Sequence, residues 1–183
     1  MDLSKISKGG QIYAGAGLVY FIASFLPWYK IDIPAELQAF IGKADVNAWG
    51  DIGFLWGSLW ALVFLAGAAL VVLPAFGVKV PKLPAIAYLA SAAVASLFTL
   101  LKLVIGEDDP IKATYGIYLA TLATLGATFG AFLLFKESGG SLDDLKDPNK
   151  IKASFNTGQG GQSAPPPPPP GAGAPPPPPP PVG

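Results

Sequence analysis

The chain has 183 residues, of which 51% are hydrophobic and only 13% charged, and its twelve basic and twelve acidic residues leave no net charge. All twelve cations are lysine; arginine, histidine and cysteine do not occur. Imidazole or thiolate metal sites, histidine bases, thiol nucleophiles, arginine phosphate clamps and disulfides are therefore excluded, and no basic surface of the nucleic-acid-binding kind exists. These exclusions point away from an enzyme and from any cofactor or bound metal.

Residues 1–10 form a short polar N-terminus with Lys5 and Lys8. A first apolar stretch follows over about 11–29. Its core, Ile12 to Leu26, runs into Pro27 and Trp28 with no clean small-residue cleavage site, so it reads as a retained anchor rather than a secretory leader. Further apolar stretches cover about 52–76, 83–105 and 114–135. Roughly 20 apolar residues cross a hydrocarbon core, so the expected fold is all-α, a four-helix transmembrane domain over 11–136. Short connections make neighbouring helices antiparallel, which gives up-down-up-down topology.

The longer connection, 30–51, holds a plausible short amphipathic helix with Pro34 near its start and Leu37, Phe40 and Ile41 at helical spacing. It reads as a connection covering the outer helix ends, with a ligand lid as the alternative. Lysines 5, 8, 79, 82, 136, 146, 150 and 152 fall on one side of the spans, whereas the acidic residues concentrate on the other. The excess of lysine marks the cytoplasmic side, so both termini are expected there. Trp28, Trp49, Trp56 and Trp60 fall at the opposite ends and read as an outer aromatic cap at headgroup level.

Helices in lipid associate through close packing of small residues. Gly53 with Gly57 and Gly126 with Gly130 are spaced four apart, and Gly116, Ala120, Ala123 and Ala127 share one face of the fourth span. These are the expected packing seams, within the monomer first and between copies second. Serine and threonine hydroxyls inside the spans can bond back to their own helices and need no pore. Lys102 is the one charge well inside an apolar run, on the stripe Tyr88, Ala92, Ala95, Thr99. It is a candidate intramembrane charge site, with Asp51 or Glu107, Asp108 and Asp109 as partners, and the competing reading is a lysine whose long stem reaches the headgroups. The run Glu107-Asp108-Asp109 reads as a solvated turn before Pro110, because three adjacent carboxylates lack the spacing of a cation site.

Residues 137–155 form a juxtamembrane linker in which Ser141 and Asp144 match a capping box. Residues 156–183 contain only Gly, Gln, Ser, Ala, Asn, Thr, Val and Pro, and end in two runs, Pro165 to Pro170 and Pro175 to Pro181. Such a composition buries too little apolar surface to order itself, so a disordered tail carrying two polyproline II rods is expected. The rods serve either as docking segments for a protein partner or as reach.

Ala23-Ser24-Phe25-Leu26-Pro27-Trp28-Tyr29 at the end of the first span, the small-residue-rich second span ending near Pro74, and Tyr115-Gly116-Ile117-Tyr118 opening the fourth resemble actinobacterial four-span membrane proteins. With the proline-rich tail, the order of features resembles the family of the mycobacterial 34 kDa antigenic protein. The tail departs from that family in being nearly pure proline. The resemblance implies a multi-pass protein of the bacterial plasma membrane linked to envelope or cell-division assemblies, with no catalytic site to carry over. The expected role is a non-enzymatic scaffold or adaptor whose tail recruits a cytoplasmic protein partner. The alternative is an accessory subunit of a larger membrane complex or an oligomeric channel, with membrane lipids as partners in either case.

Overall fold

The computed structural model describes residues 6–34, 36, 45–50, 53–106 and 111–157. The expected amphipathic helix around Leu37 to Ile41, the carboxylates Asp51 and Glu107 to Asp109, and both proline runs lie outside the described residues. Among the described residues the chain is mostly helical, with α1 over Lys8–Ala23, α2 over Ser58–Val72, α3 over Ala85–Ile105, α4 over Tyr115–Glu137 and α5 over Pro148–Thr157. Short 3-10 segments occupy Leu73–Phe76, continuing α2, and Asp144–Lys146, ahead of α5. Among the described residues three segments are long and apolar enough to cross a membrane: Ser58–Phe76, Ala85–Ile105 and Tyr115–Glu137.

The first apolar stretch differs from the expected span. Its helix stops at Ala23, a length of 16 residues, or about 24 Å at 1.5 Å per residue, against about 30 Å of hydrocarbon. Pro27 removes a backbone donor and disfavours helix at the residue before it, so the chain turns over Ser24 to Leu26. Tyr29 then enters a strand, not a helix. The start of the second apolar stretch also changes: the helix begins at Ser58, and Gly53, with φ +96°, takes a left-handed turn open to glycine at little cost.

An antiparallel sheet of three short strands closes this end of the molecule, a feature outside the all-α expectation. Strands β1 (Tyr29–Ile31), β2 (Asp45–Val46) and β3 (Ile111–Ala113) lie in the order β2-β1-β3. Tyr29 faces Val46 on one side and Ala113 on the other; Lys30 faces Asp45 and Lys112. The like charges of Lys30 and Lys112 would repel directly across the strands, and Lys112 instead pairs with Asp32 at 2.5 Å.

Helix α1 packs between α2 and α4, and α3 packs on α4, whereas α2 and α3 approach each other only slightly. The first seam is read off glycine. A Cβ on Gly9 would fall against the Leu133–Leu134 backbone and one on Gly130 against the Tyr13 backbone, while Gly126 faces Ala16, so α1 and α4 run antiparallel with backbones nearly touching. Along α2, Val71, Gly67 and Phe64 meet Gly10, Tyr13 and Gly17 in turn, again antiparallel. Aromatic rings fill the wider space between α2 and α3: Tyr13 lies 6.1 Å from Phe64 and 5.3 Å from Tyr88, and Trp60 lies 5.4 Å from Phe98.

Small and hydroxylated residues line the interior around a core of buried rings, Tyr13, Tyr20, Trp28, Tyr29 and Phe64, while many large aliphatic residues lie on the surface. Ala61, Ala92, Ala95, Ala120, Ala127, Ser24, Thr99 and Thr124 are fully buried, while Leu18, Ile22, Leu62, Leu97, Leu122 and Phe129 are exposed. That inversion of the water-soluble pattern suits helices whose outer faces meet lipid.

Candidate functional site

Charge and aromatic side chains converge where the sheet meets the ends of α2 and α3. The order begins at Pro27, whose carbonyl accepts from the amide of Gly116 at 3.0 Å and from the hydroxyl of Thr114. A Cβ on Gly116 would collide with that same carbonyl, so glycine opens α4 because the α1–β1 turn lies on it. Trp28 continues the tie: its amide donates to Val46 at 2.8 Å and its carbonyl accepts from Thr114 at 2.8 Å. These bonds aim Tyr29 inward, where its ring is buried and its hydroxyl donates to the carbonyl of Lys102 at 2.8 Å.

Lys102 is itself buried, 8% exposed, in the last turn of α3. Its Nζ stands 5.6 Å from the ring centroid of Tyr29 and 5.6 Å from that of Trp56. Two ring faces supply the negative quadrupole that an ammonium seeks, at about 0.5–2 kcal/mol each depending on desolvation. The side chain lies inside the protein, against these two rings. A cation at the C-terminus of a helix is also favoured by the helix dipole. The carboxylates expected as its partners fall among residues outside the described set.

The four tryptophans differ in exposure, with Trp56 half-buried against Lys102 and Phe98. Trp28 is fully buried, gives its Nε1 proton to the carbonyl of Ala23 at 2.9 Å and meets Tyr20 edge to face at 6.1 Å. It caps the end of α1 from inside the protein. Trp60 is nearly buried and donates to Leu55. Trp49 alone is substantially exposed, at 39%, stacked on Phe25 at 5.4 Å with its Nε1 donating to Ser24 Oγ at 2.8 Å.

Of the expected packing residues, Gly116, Ala120 and Gly130 lie on buried seams, and Gly126 makes ordinary contact with Ala16. Gly53 and Gly57 lie ahead of α2 and not on a helix; Gly57 is held closely against Ala48. The α1 side of the seams, Gly9 and Gly17, was not among the expected packing residues; the spacing Gly9, Tyr13, Gly17, Tyr20 on one helix face is the signal that carries it. A hydroxyl bridge between Ser96 and Thr128, at 2.8 Å, ties α3 to α4, while Thr121 and Thr124 bond back to their own helix. Among the described residues no group of three His, Cys, Asp or Glu side chains is placed to hold a metal.

At the opposite end, Glu137 spans both carboxylate oxygens to the Gly9 amide, at 3.1 and 3.2 Å, and Ser7 accepts from Gly10 at 3.2 Å. The first turn of α1 is thus capped by its own chain and by the end of α4.

Helices of this length and apolar surface, with a hydroxyl-rich interior, define a protein of the membrane type. Compared with known protein families, curated proteins and solved structures, the chain matches none.

Proposed function

We propose that the chain is a non-enzymatic scaffold of the bacterial plasma membrane. In this reading α1 to α4 form a four-span anchor with both termini in the cytoplasm, and the proline-rich segment 156–183 recruits a protein partner. The observation that carries it is the inside-out distribution of residues: alanine, glycine, serine and threonine pack the seams, and leucine, isoleucine and phenylalanine cover the outside. Helices so built, fixed to one another by glycine seams and by a glutamate cap, make a rigid mount with little interior left for transport. The sequence resemblance to actinobacterial four-span proteins agrees with such a role. The proline runs add a composition suited to docking, since proline-rich ligands in general bind as preformed polyproline II segments.

Affinity purification from native membranes tests this, comparing the full chain with a version ending at Thr157, which keeps the Glu137 cap and α5. Partners captured by the full chain and lost from the shortened one support recruitment by the tail. Identical partners in both refute it.

The length of α1 favours a second reading. At 16 residues it falls short of a bilayer by about 6 Å. A short helix is tolerated where a neighbouring subunit shelters its ends, as in an accessory subunit of a larger membrane complex. Stoichiometric copurification of a larger complex with both versions would support that reading.

A further inference from the structure

At the end of the molecule that carries the N-terminus lie two adjoining clefts, one between α2, α3 and α4 and the other between α3, α4 and the segment that follows α4. One has a volume of about 370 Å³; its walls within the helices are Val71, Tyr88 and Leu134, and its mouth is formed by Ser7, Leu83 and Ser138. The other, about 420 Å³, shares Leu83, Ala85 and Ser138 and extends toward the turn after α4. The smaller one exists because α2 and α3 barely meet: the aromatic bridge of Tyr13, Phe64 and Tyr88 fills the middle of that gap and leaves its end open.

The smaller cleft grades from apolar depth to polar mouth. Val71, Tyr88 and Leu134 belong to helices of membrane-spanning character or to their packing partners, whereas Ser7 and Ser138 lie where those helices end. The two mouth residues Ser7 and Leu83 are flanked in sequence by Lys8 and Lys82, both exposed, and Lys79 lies in the same connection. The second cleft holds a carboxylate, Asp144, which is already bound by Lys150 at 2.8 Å and by the amide and hydroxyl of Ser141. The smaller cleft has a carboxylate at its mouth too, Glu137 beside Ser138, held by the Gly9 amide; Lys8 and Lys82 outnumber it, so the cation excess belongs to this cleft.

We propose that this cleft binds one anionic diacyl phospholipid from the leaflet on the side of the termini. An acyl chain enters between Val71, Tyr88 and Leu134, and the phosphate lies at the mouth within reach of Lys8 and Lys82. An apolar slot alone would accept any lipid; the paired lysines make the choice anionic, since each lysine near a membrane surface contributes to anionic attraction. The lipid completes the open side between α2 and α3, so the anchor is tighter with it than without it. The inference rests on membrane insertion but not on the scaffold role or on the proline tail.

The test uses the full chain, first shown to resist carbonate extraction from membranes, so that failure of insertion is seen separately. The purified protein in mild detergent is titrated with phosphatidylglycerol or with phosphatidylcholine of the same acyl chains, and bound lipid is counted by native mass spectrometry alongside the melting temperature. One phosphatidylglycerol per chain and a higher melting temperature are expected, with affinity for phosphatidylcholine weaker on the order of tenfold. The variant K8Q/K82Q, altered only at exposed positions, should lose that preference while keeping its fold. Ala85→Leu, which fills the shared wall of both clefts, should lower binding of both lipids. Equal binding of the two lipids, or a preference that survives K8Q/K82Q, overturns the proposal and leaves only general lipid solvation.

Discussion

The Tyr29 hydroxyl and the Lys102 carbonyl meet at 2.8 Å across 73 residues of sequence, fastening the first strand to the last turn of α3. The same carbonyl also accepts from the Gly106 amide at 3.0 Å, so both of its lone pairs are used. Above it, the Lys102 ammonium lies between the rings of Tyr29 and Trp56. One tyrosine thus supplies a donor to the backbone and a ring face to the charge.

Removing only the donor separates the two roles. Tyr29→Phe keeps the ring and should cost about 1 kcal/mol, the usual loss for one buried hydrogen bond. Lys102→Ala removes both ring contacts and leaves a gap beside Trp56, and should cost about 2–4 kcal/mol by analogy with other large-to-small buried changes. Thermal melts of the purified protein in one detergent check both. A Lys102→Ala protein as stable as the unaltered one would show that the ring cage contributes nothing measurable.

Glycine on the α1–α4 seam admits an equally direct comparison. A Cβ at Gly130 would lie 2.4 Å from the Tyr13 backbone nitrogen, and backbone cannot move aside as a side chain can. Gly130→Ala should therefore force the helices apart at about 1–3 kcal/mol or more. Gly15, on the same helix as Tyr13 but with nothing within 4 Å, gains helix propensity instead, and Gly15→Ala should be neutral or raise stability by up to about 1 kcal/mol. Parallel melting curves decide it; equal effects at the two sites would refute the close seam.

The sequence made the helices legible, and it left their ends unreadable. Apolar runs locate α3 and α4 within about two residues, because nothing but lipid-compatible packing acts there. The end of α1 was missed because Phe25, Leu26, Trp28 and Tyr29 are as apolar as the helix before them, and hydropathy does not see that Pro27 forces the carbonyls outward to other partners. The sheet was missed for a related reason. Strands of two or three residues show no alternation, and β3 pairs with β1 across more than 80 residues of sequence. Small-residue spacing found Gly116, Ala120 and Gly130 but misread Gly53 and Gly57, whose backbone lies ahead of α2 in turns. Lys102 was conspicuous as a charge. Its burial between two rings depended on Tyr29 leaving the helix, which the sequence alone did not show.

Glu137 illustrates a contact that only the antiparallel arrangement creates. It sits at the end of α4 and reaches the Gly9 amide of α1, 128 residues earlier, where both carboxylate oxygens accept from one otherwise unsatisfied N–H at the positive end of the helix dipole. Glu137→Ala should cost about 0.5–2 kcal/mol, and Glu137→Gln, which keeps an acceptor but not the charge, less than half of that. Hydrogen exchange at the Gly9 and Gly10 amides reports the cap directly. Unchanged protection there in Glu137→Ala would mean that Ser7 alone holds the helix start.

Acid should loosen the segment after α4 before it disturbs the helices. Hydrogen bonds from the Lys150 ammonium, and then from the Ser141 hydroxyl and amide, hold the Asp144 carboxyl down to about 2 from its ordinary 3.8. A depressed carboxyl contributes its full stabilisation above its unfolded value, so the Ser141–Asp144–Lys150 cluster is intact at neutral pH and down to about 4. It is lost as pH falls from 3.8 through about 2. Lys150, pushed up by the same pair, has the opposite sign: its share is present below 10.5 and disappears only as pH rises through its folded value. All these groups are exposed, so salt weakens the effect. NMR titration of the Ser141 amide should give a midpoint near 2 in the native protein. In Asp144→Asn the same transition should vanish, while Asp32, lowered by Lys112 at the other end of the molecule, still titrates below its ordinary value. A Ser141 midpoint at the ordinary carboxylate value would mean that the Lys150 contact does not persist in solution.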